Sequence, residues 1–149
     1  MVPATNRNLV KLLCQPASPR MPDRAPAPRV LVIDDEDAVR TALCATLSDA
    51  GCAVTEARDG AEALEILRTK PADAVLMDIY MPLQDGFEAI RELRRVAPAV
   101  KIIAISGGSR GNFDPLKAAE MLGADRTLRK PFGIDDPLGA LTQLLPATP

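Results

Sequence analysis

Three carboxylates, one hydroxyl and one ammonium stand out because each follows a short run of strand-forming residues. Asp34 and Asp35 follow Val30-Leu31-Val32-Ile33, and Asp78 follows Ala74-Val75-Leu76-Met77. Ser106 follows Ile102-Ile103-Ala104-Ile105, and Lys130 follows Arg126-Thr127-Leu128-Arg129. If these runs are parallel strands of one sheet, the five side chains meet at its carboxyl rim, where open α/β sheets bind their ligands. Three acids alone repel one another and raise their own pKa values, so the cluster calls for a cation. Oxygen-only ligands suit a hard ion such as Mg²⁺. Lys130 adds a point charge and Ser106 a hydroxyl donor, both suited to a tetrahedral anion. The mixture reads as a phosphoryl-transfer site. A carboxylate can itself accept a phosphoryl group when Mg²⁺ and a cation neutralise the transferring oxygens. Asp78 is the natural nucleophile, because it ends the central apolar run, whereas the adjacent pair Asp34-Asp35 is better placed as metal ligands. A strand-ending Asp can also simply cap the following helix. That plain reading suits any one of them, but not Asp-Asp, Asp, Ser and Lys ending four strands.

The elements that must position these residues alternate along the chain. Ala53-Val54-Thr55-Glu56-Ala57 adds a weaker strand candidate. Between the strands, Val39, Leu43, Leu47 and Ala50 recur at helical spacing, as do Phe87, Ile90, Leu93 and Ala97, and then Leu138, Leu141 and Leu145. Helix starts are legible: Asp59-Gly60-Ala61-Glu62 and Asp85-Gly86-Phe87-Glu88 each put an acceptor at the N-cap and a Glu three residues on. Asp114-Pro115 and Asp136-Pro137 put a capping Asp before a proline at the first helical position. Five βα units with apolar strands predict a parallel sheet covered by helices on both faces.

Composition narrows the chemistry. The 149 residues hold one ordinary core and hardly two. There is no His, which removes the Ser-His-Asp triad, histidine zinc sites and His general bases. Aromatics are 3%, with no Trp, against base-stacking platforms for single-stranded nucleic acid. Cys14, Cys44 and Cys52 form no CxxC pair and leave an odd thiol, which points to a reducing cytosol over a disulfide scaffold. No apolar run approaches the roughly 20 residues that span a bilayer, and Leu9-Val10-Lys11-Leu12-Leu13 lacks the features of a signal peptide. A cytoplasmic protein without a membrane partner is expected.

Residues 1 to 29 hold six of the fourteen prolines and five Lys/Arg against the single acid Asp23. The reading is a Pro-rich disordered tail over 1–28, a folded domain over 29–145 and a short C-terminal tail over 146–149. Met21 offers an alternative start. Residues 30 to 149 carry 13 Lys/Arg against 19 Asp/Glu, a net charge of −6, and so no electrostatic footprint for nucleic acid.

Val30-Leu31-Val32-Ile33-Asp34-Asp35-Glu36, Val75-Leu76-Met77-Asp78-Ile79-Tyr80-Met81-Pro82-Leu83-Gln84-Asp85-Gly86, Ile105-Ser106-Gly107 and Leu128-Arg129-Lys130-Pro131-Phe132 together resemble the receiver domain of bacterial two-component response regulators, in its stand-alone, chemotaxis-regulator-like form. The resemblance covers about residues 29 to 145. It implies a flavodoxin-like (βα)5 fold with strand order 2-1-3-4-5, and Asp78 as phosphoacceptor from a histidine kinase or histidine phosphotransfer protein. By the same resemblance Asp34 and Asp35 bind Mg²⁺, Asp35 more directly, with an Asp78 oxygen and the Tyr80 backbone carbonyl. Ser106 and Lys130 then bond phosphoryl oxygens, and a cis peptide bond precedes Pro131.

Two features depart from the pattern. The family's aromatic switch position, three residues before the lysine, holds Thr127. The loop Ser106-Gly107-Gly108-Ser109-Arg110-Gly111-Asn112-Phe113 is glycine-rich but lacks the Gly-Lys-Ser/Thr ending of a nucleotide P-loop. Only Pro146-Ala147-Thr148-Pro149 follow Leu145, so the expectation is a single-domain switch whose output is binding to a downstream target protein. The rivals are an aspartate-nucleophile, Mg²⁺-dependent phosphohydrolase and a phosphorylation-independent binding module. The hydrolase pattern has a second Asp two residues after the nucleophile, where this chain has Tyr80. Tyr80 and Gly108 also flank the path of attacking water in the family pattern, and supply an obstruction and no orienting group.

Overall fold

The computed structural model describes residues 26–81, 84–107, 112–133 and 135–145, and of Met81, Gln84 and Asp85 the backbone alone. Strands β1 (Arg29–Ile33), β2 (Ala53–Ala57), β3 (Ala74–Asp78), β6 (Lys101–Ser106) and β7 (Arg126–Arg129) form one parallel sheet ordered β2-β1-β3-β6-β7. Counting only its own strands, that is the 2-1-3-4-5 order expected. The helices are α1 (Asp37–Asp49), α2 (Gly60–Thr69), α3 (Gly86–Val96), α4 (Pro115–Leu122) and α5 (Asp135–Leu144).

Because side chains alternate along a strand, the apolar runs serve two cores at once. Leu31, Ile33, Val75, Met77, Ile102 and Ala104 pack under α2, α3 and α4, through Ala63, Ile90, Leu93, Leu116 and Ala119 among others. Val30, Val32, Ala74, Leu76, Ile103 and Ile105 face the other way and meet Leu43 and Leu47 of α1 and Leu138 and Leu141 of α5. The weak strand candidate is the edge strand β2, whose outer residues are exposed to match its mixed composition. Among the described residues, no helix is long and apolar enough to cross a membrane.

Two of the expected caps form: Asp59 accepts from the Glu62 N–H at 2.8 Å and Asp114 from the Leu116 N–H at 3.1 Å. Asp136 does not cap. Helix α5 already begins at Asp135, and the Asp136 carboxylate reaches back to accept from the Gly133 N–H at 2.9 Å. Proline at the third helical position, like proline at the first, lacks only an N–H that would have no intrahelical partner, so sequence spacing could not separate the two. The Asp85 cap lies outside the described side chains. Unforeseen was the two-stranded hairpin of β4 (Tyr80–Met81) and β5 (Gln84–Asp85), which follows β3 directly.

The expected tail lies mostly outside the described residues, as do residues 146–149, Cys14, Met21, Gly108 and most of the glycine-rich loop. Pro28, the last residue of that expected tail, is buried, and its carbonyl accepts from the Ala53 N–H at 2.9 Å. At the sheet's opposite end from the strand-terminating acids, Arg94 of α3 donates to the Gly123 and Val100 carbonyls and pairs with Asp125, tying α3 to the start of β7.

Candidate functional site

Parallel register puts the strand ends side by side. Ile33 lies opposite Met77, so Asp34 and Asp78 emerge together from the two central strands. One carboxylate oxygen each from Asp34, Asp35 and Asp78 can lie within 4.8 Å of the others. Asp34 and Asp78 are 1% and 8% exposed, whereas Asp35 faces solvent. Backbone geometry fixes the two buried acids: Asp34 Oδ1 accepts from the Glu36 N–H at 2.9 Å, and Asp78 Oδ1 from the Tyr80 N–H at 2.9 Å. Each acid closes a turn onto the residue two further on, which leaves its second oxygen directed elsewhere.

Lys130 answers that second oxygen. Its Nζ lies 2.9 Å from Asp78 Oδ2 and 4.0 Å from Asp34 Oδ2. Its stem packs over Gly107, and its backbone N–H donates to the Ser106 carbonyl at 2.8 Å, which ties the ends of β6 and β7 together. The Lys130-Pro131 bond is cis, as the resemblance implied. Ser106 is fully buried on β6, one residue beyond the partner of Asp78 in the ladder.

The electrostatics follow from this packing. Burial pushes the Asp34 carboxyl above its usual value, with the Asp78 and Asp35 charges pushing the same way against the Glu36 N–H and Lys130. Burial alone would lower Lys130, but the hydrogen bond and charge of Asp78, with Asp34 and Glu36 behind it, hold the ammonium above its usual value. Among the described residues, the site is therefore an acid cluster faced by one cation, Lys130. An all-oxygen donor set with a buried member whose ionisation is disfavoured fits a small hard divalent ion.

Two supports went unread in the sequence. Arg40, 6% exposed, donates from Nη1 to the Asp34 carbonyl at 2.7 Å and from Nη2 to Asp37 Oδ1 at 2.5 Å, with Glu56 at 3.9 Å from Nε. An Arg three and seven residues before Leu43 and Leu47, on the buried stripe of α1, was the available signal. Gly86 is the other: a Cβ there would stand 2.3 Å from the Ile79 carbonyl oxygen, so glycine lets α3 begin against the turn that holds Tyr80. The remaining departure also has a structural counterpart. The Thr127 hydroxyl donates to Glu120 Oε1 at 3.3 Å, and a polar cavity of about 350 Å³ opens beside it, lined by Asp114, Leu116, Lys117 and Arg129.

With that geometry in view, residues 30–142 match the response regulator receiver domain family. The chain belongs to that family. The receiver is 38% identical over 120 residues to the response regulator MprA of Mycobacterium sp. strain KMS, a match covering 80% of this chain and 51% of the relative. It thus spans about half the length of the curated relatives it matches. The fold superposes on the chemotaxis protein CheY4 of Vibrio cholerae with a TM-score of 0.72 at 30% identity, covering 80% of this chain and 99% of that one. A response regulator from Burkholderia pseudomallei, determined with a phosphorylated aspartic acid, a calcium ion and citrate, gives 0.69 at 27% identity, with 76% and 66% coverage. The receiver's four sequence motifs, quoted above, all fall inside the matched segment.

Proposed function

We propose that this receiver is a single-domain response regulator that accepts a phosphoryl group on Asp78 from a histidine kinase or histidine phosphotransfer protein and acts by binding a downstream protein. The observation that carries the reading is the Lys130 ammonium 2.9 Å from Asp78 Oδ2, inside a cluster of three acids. In the proposed site Asp34, Asp35, an Asp78 oxygen and the Tyr80 carbonyl hold Mg²⁺, Asp35 more directly because it faces solvent. Bound there, the ion neutralises phosphoryl oxygens during transfer.

The chain's own groups do the rest. An Asp78 oxygen attacks phosphorus; the O–P bond forms as the P–N bond to the donor imidazole breaks and its electron pair returns to nitrogen. Lys130 leaves the carboxylate for a phosphoryl oxygen and keeps a charge-assisted bond throughout. The Ser106 hydroxyl bonds another phosphoryl oxygen once the acyl phosphate exists. The Burkholderia relative, with its phosphorylated aspartic acid and calcium ion, supports this chemistry.

Tyr80 weighs against the phosphohydrolase reading, since no carboxylate stands two residues after Asp78 to protonate a leaving group. The net charge of −6 over residues 30–149 favours a protein target over nucleic acid. Incubation of the full chain with phosphorylated histidine donors tests the reading: phosphoryl transfer to the receiver without turnover of a phosphate monoester such as p-nitrophenyl phosphate is the expected result. Steady release of nitrophenol that Asp78→Asn abolishes would make it a hydrolase instead.

A further inference from the structure

An apolar groove of about 350 Å³ runs between α1 and α5, lined by Ala38, Val39, Ala42 and Thr46 of α1 with Phe132 and Pro137 beside α5. Its surroundings are one-sided in charge. Among the described residues of the two helices, Asp37, Asp49, Asp135 and Asp136 are exposed acids, and the only base, Arg40, is buried. Helix α3, by contrast, exposes Arg91 and Arg95. An apolar floor between two helices whose exposed charges are acidic selects a segment that is apolar and basic together.

This chain contains such a segment. Leu9-Val10-Lys11-Leu12-Leu13 supplies four large apolar side chains and a lysine, within a stretch that also holds Arg7, Arg20 and Arg24 against the single acid Asp23. The tether is long enough. The described chain begins at Pro26, close to the C-terminal end of α1, since Pro28 bonds Ala53 just beyond that helix. Residues 14–25 reach roughly 37 Å in an extended Pro-rich form, at about 3.1 Å per residue. The 13 residues of α1 span only about 20 Å. Attachment through that tether sets an effective concentration on the order of millimolar, enough to populate a weak contact.

We infer that residues 9–13 dock into the α1–α5 groove of their own chain, Leu9, Leu12 and Leu13 filling it while Lys11 and Arg7 meet the exposed aspartates of the two helices.

Amide NMR spectra of the full chain and of a chain beginning at Met21 test this. The expected difference is a set of shifts confined to Ala38, Val39, Ala42, Thr46 and their α5 neighbours. A synthetic peptide of residues 5–15, added to the shorter chain, reproduces the set at millimolar concentration. Leu9→Ser, Leu12→Ser and Leu13→Ser together in the full chain erase it, while the amide positions away from α1 and α5 stay those of the folded domain. Asp135→Lys with Asp136→Lys weakens it, as does added salt. Coincident spectra of the two chains along α1 and α5 would overturn the inference. So would shifts that grow with protein concentration, which would assign the groove to a second copy. Neither outcome bears on phosphorylation of Asp78.

Discussion

At the scale of single residues, the described part of the site sets three carboxylates against one ammonium. Asp34 is the costly member, being buried and held above its usual carboxyl value. A carboxyl raised in this way favours the folded chain while protonated. Its contribution is greatest below the ordinary carboxylate range and is lost as pH rises through the raised value. At neutral pH and without divalent ions, Asp34→Asn therefore stabilises the receiver and raises its Tm. Saturating Mg²⁺ reverses the order, because the wild type gains more from binding than the variant does. Thermal melts with and without Mg²⁺ check both signs; a lower Tm for the variant in metal-free buffer would contradict the charge argument. Lys130 is also held above its usual value, but there the charged form gains, so its stabilising share holds at neutral pH and fades only as strongly alkaline pH deprotonates it. Tyr80, 36% exposed beside Asp78, bears on the lifetime of the signal. A bulky ring that orients no water predicts slow loss of phosphate from the purified protein. Tyr80→Asn with Gly108→Glu should hasten that loss at least several-fold, and a wild type already as fast as the double variant would refute the occlusion.

Elements matter here because they set backbone positions that no side chain could hold alone. Arg40 joins α1 to the end of β1 through the Asp34 carbonyl. Arg40→Met removes a buried charged bond and leaves that carbonyl unpaired, at a cost of roughly 1–3 kcal/mol. The same variant should weaken Mg²⁺ binding several-fold, with Arg40→Lys recovering part of it; calorimetric titration on folded protein reads this, and unchanged affinity would reduce Arg40 to a purely structural role. Gly86→Ala drives a Cβ into the Ile79 carbonyl, so it should cost roughly 1–3 kcal/mol and slow phosphorylation by displacing the turn that holds Tyr80. The sheet itself was legible because β1, β3 and β6 are apolar runs with a polar residue at each end. The β4–β5 hairpin was not, since two-residue strands carry no periodicity. Arg40 escaped notice because a charge on a buried stripe looks like a surface residue until its partners are known. Asp136 was misplaced by two positions for want of any signal distinguishing an Asp that caps a helix from one inside its first turn.

Viewed as a whole molecule, the receiver is one sheet with two cores and its chemistry confined to one rim. The described contacts at that rim come from the ends of β1, β3, β6 and β7 and the residues that follow them. A chain beginning at Met21 should therefore accept phosphate from a small donor at the wild-type rate, and a folded truncated chain that failed to do so would show the N-terminal segment to be part of the site. The relatives, roughly twice the matched length, leave the partner unspecified, and the phosphoacceptor is the central claim. Intact-mass measurement after incubation with acetyl phosphate tests it most directly. The account predicts that the wild type gains the mass of one phosphoryl group in Mg²⁺ and none in chelator, and that Asp78→Asn gains none in either; phosphorylation of that variant to the wild-type extent would contradict it.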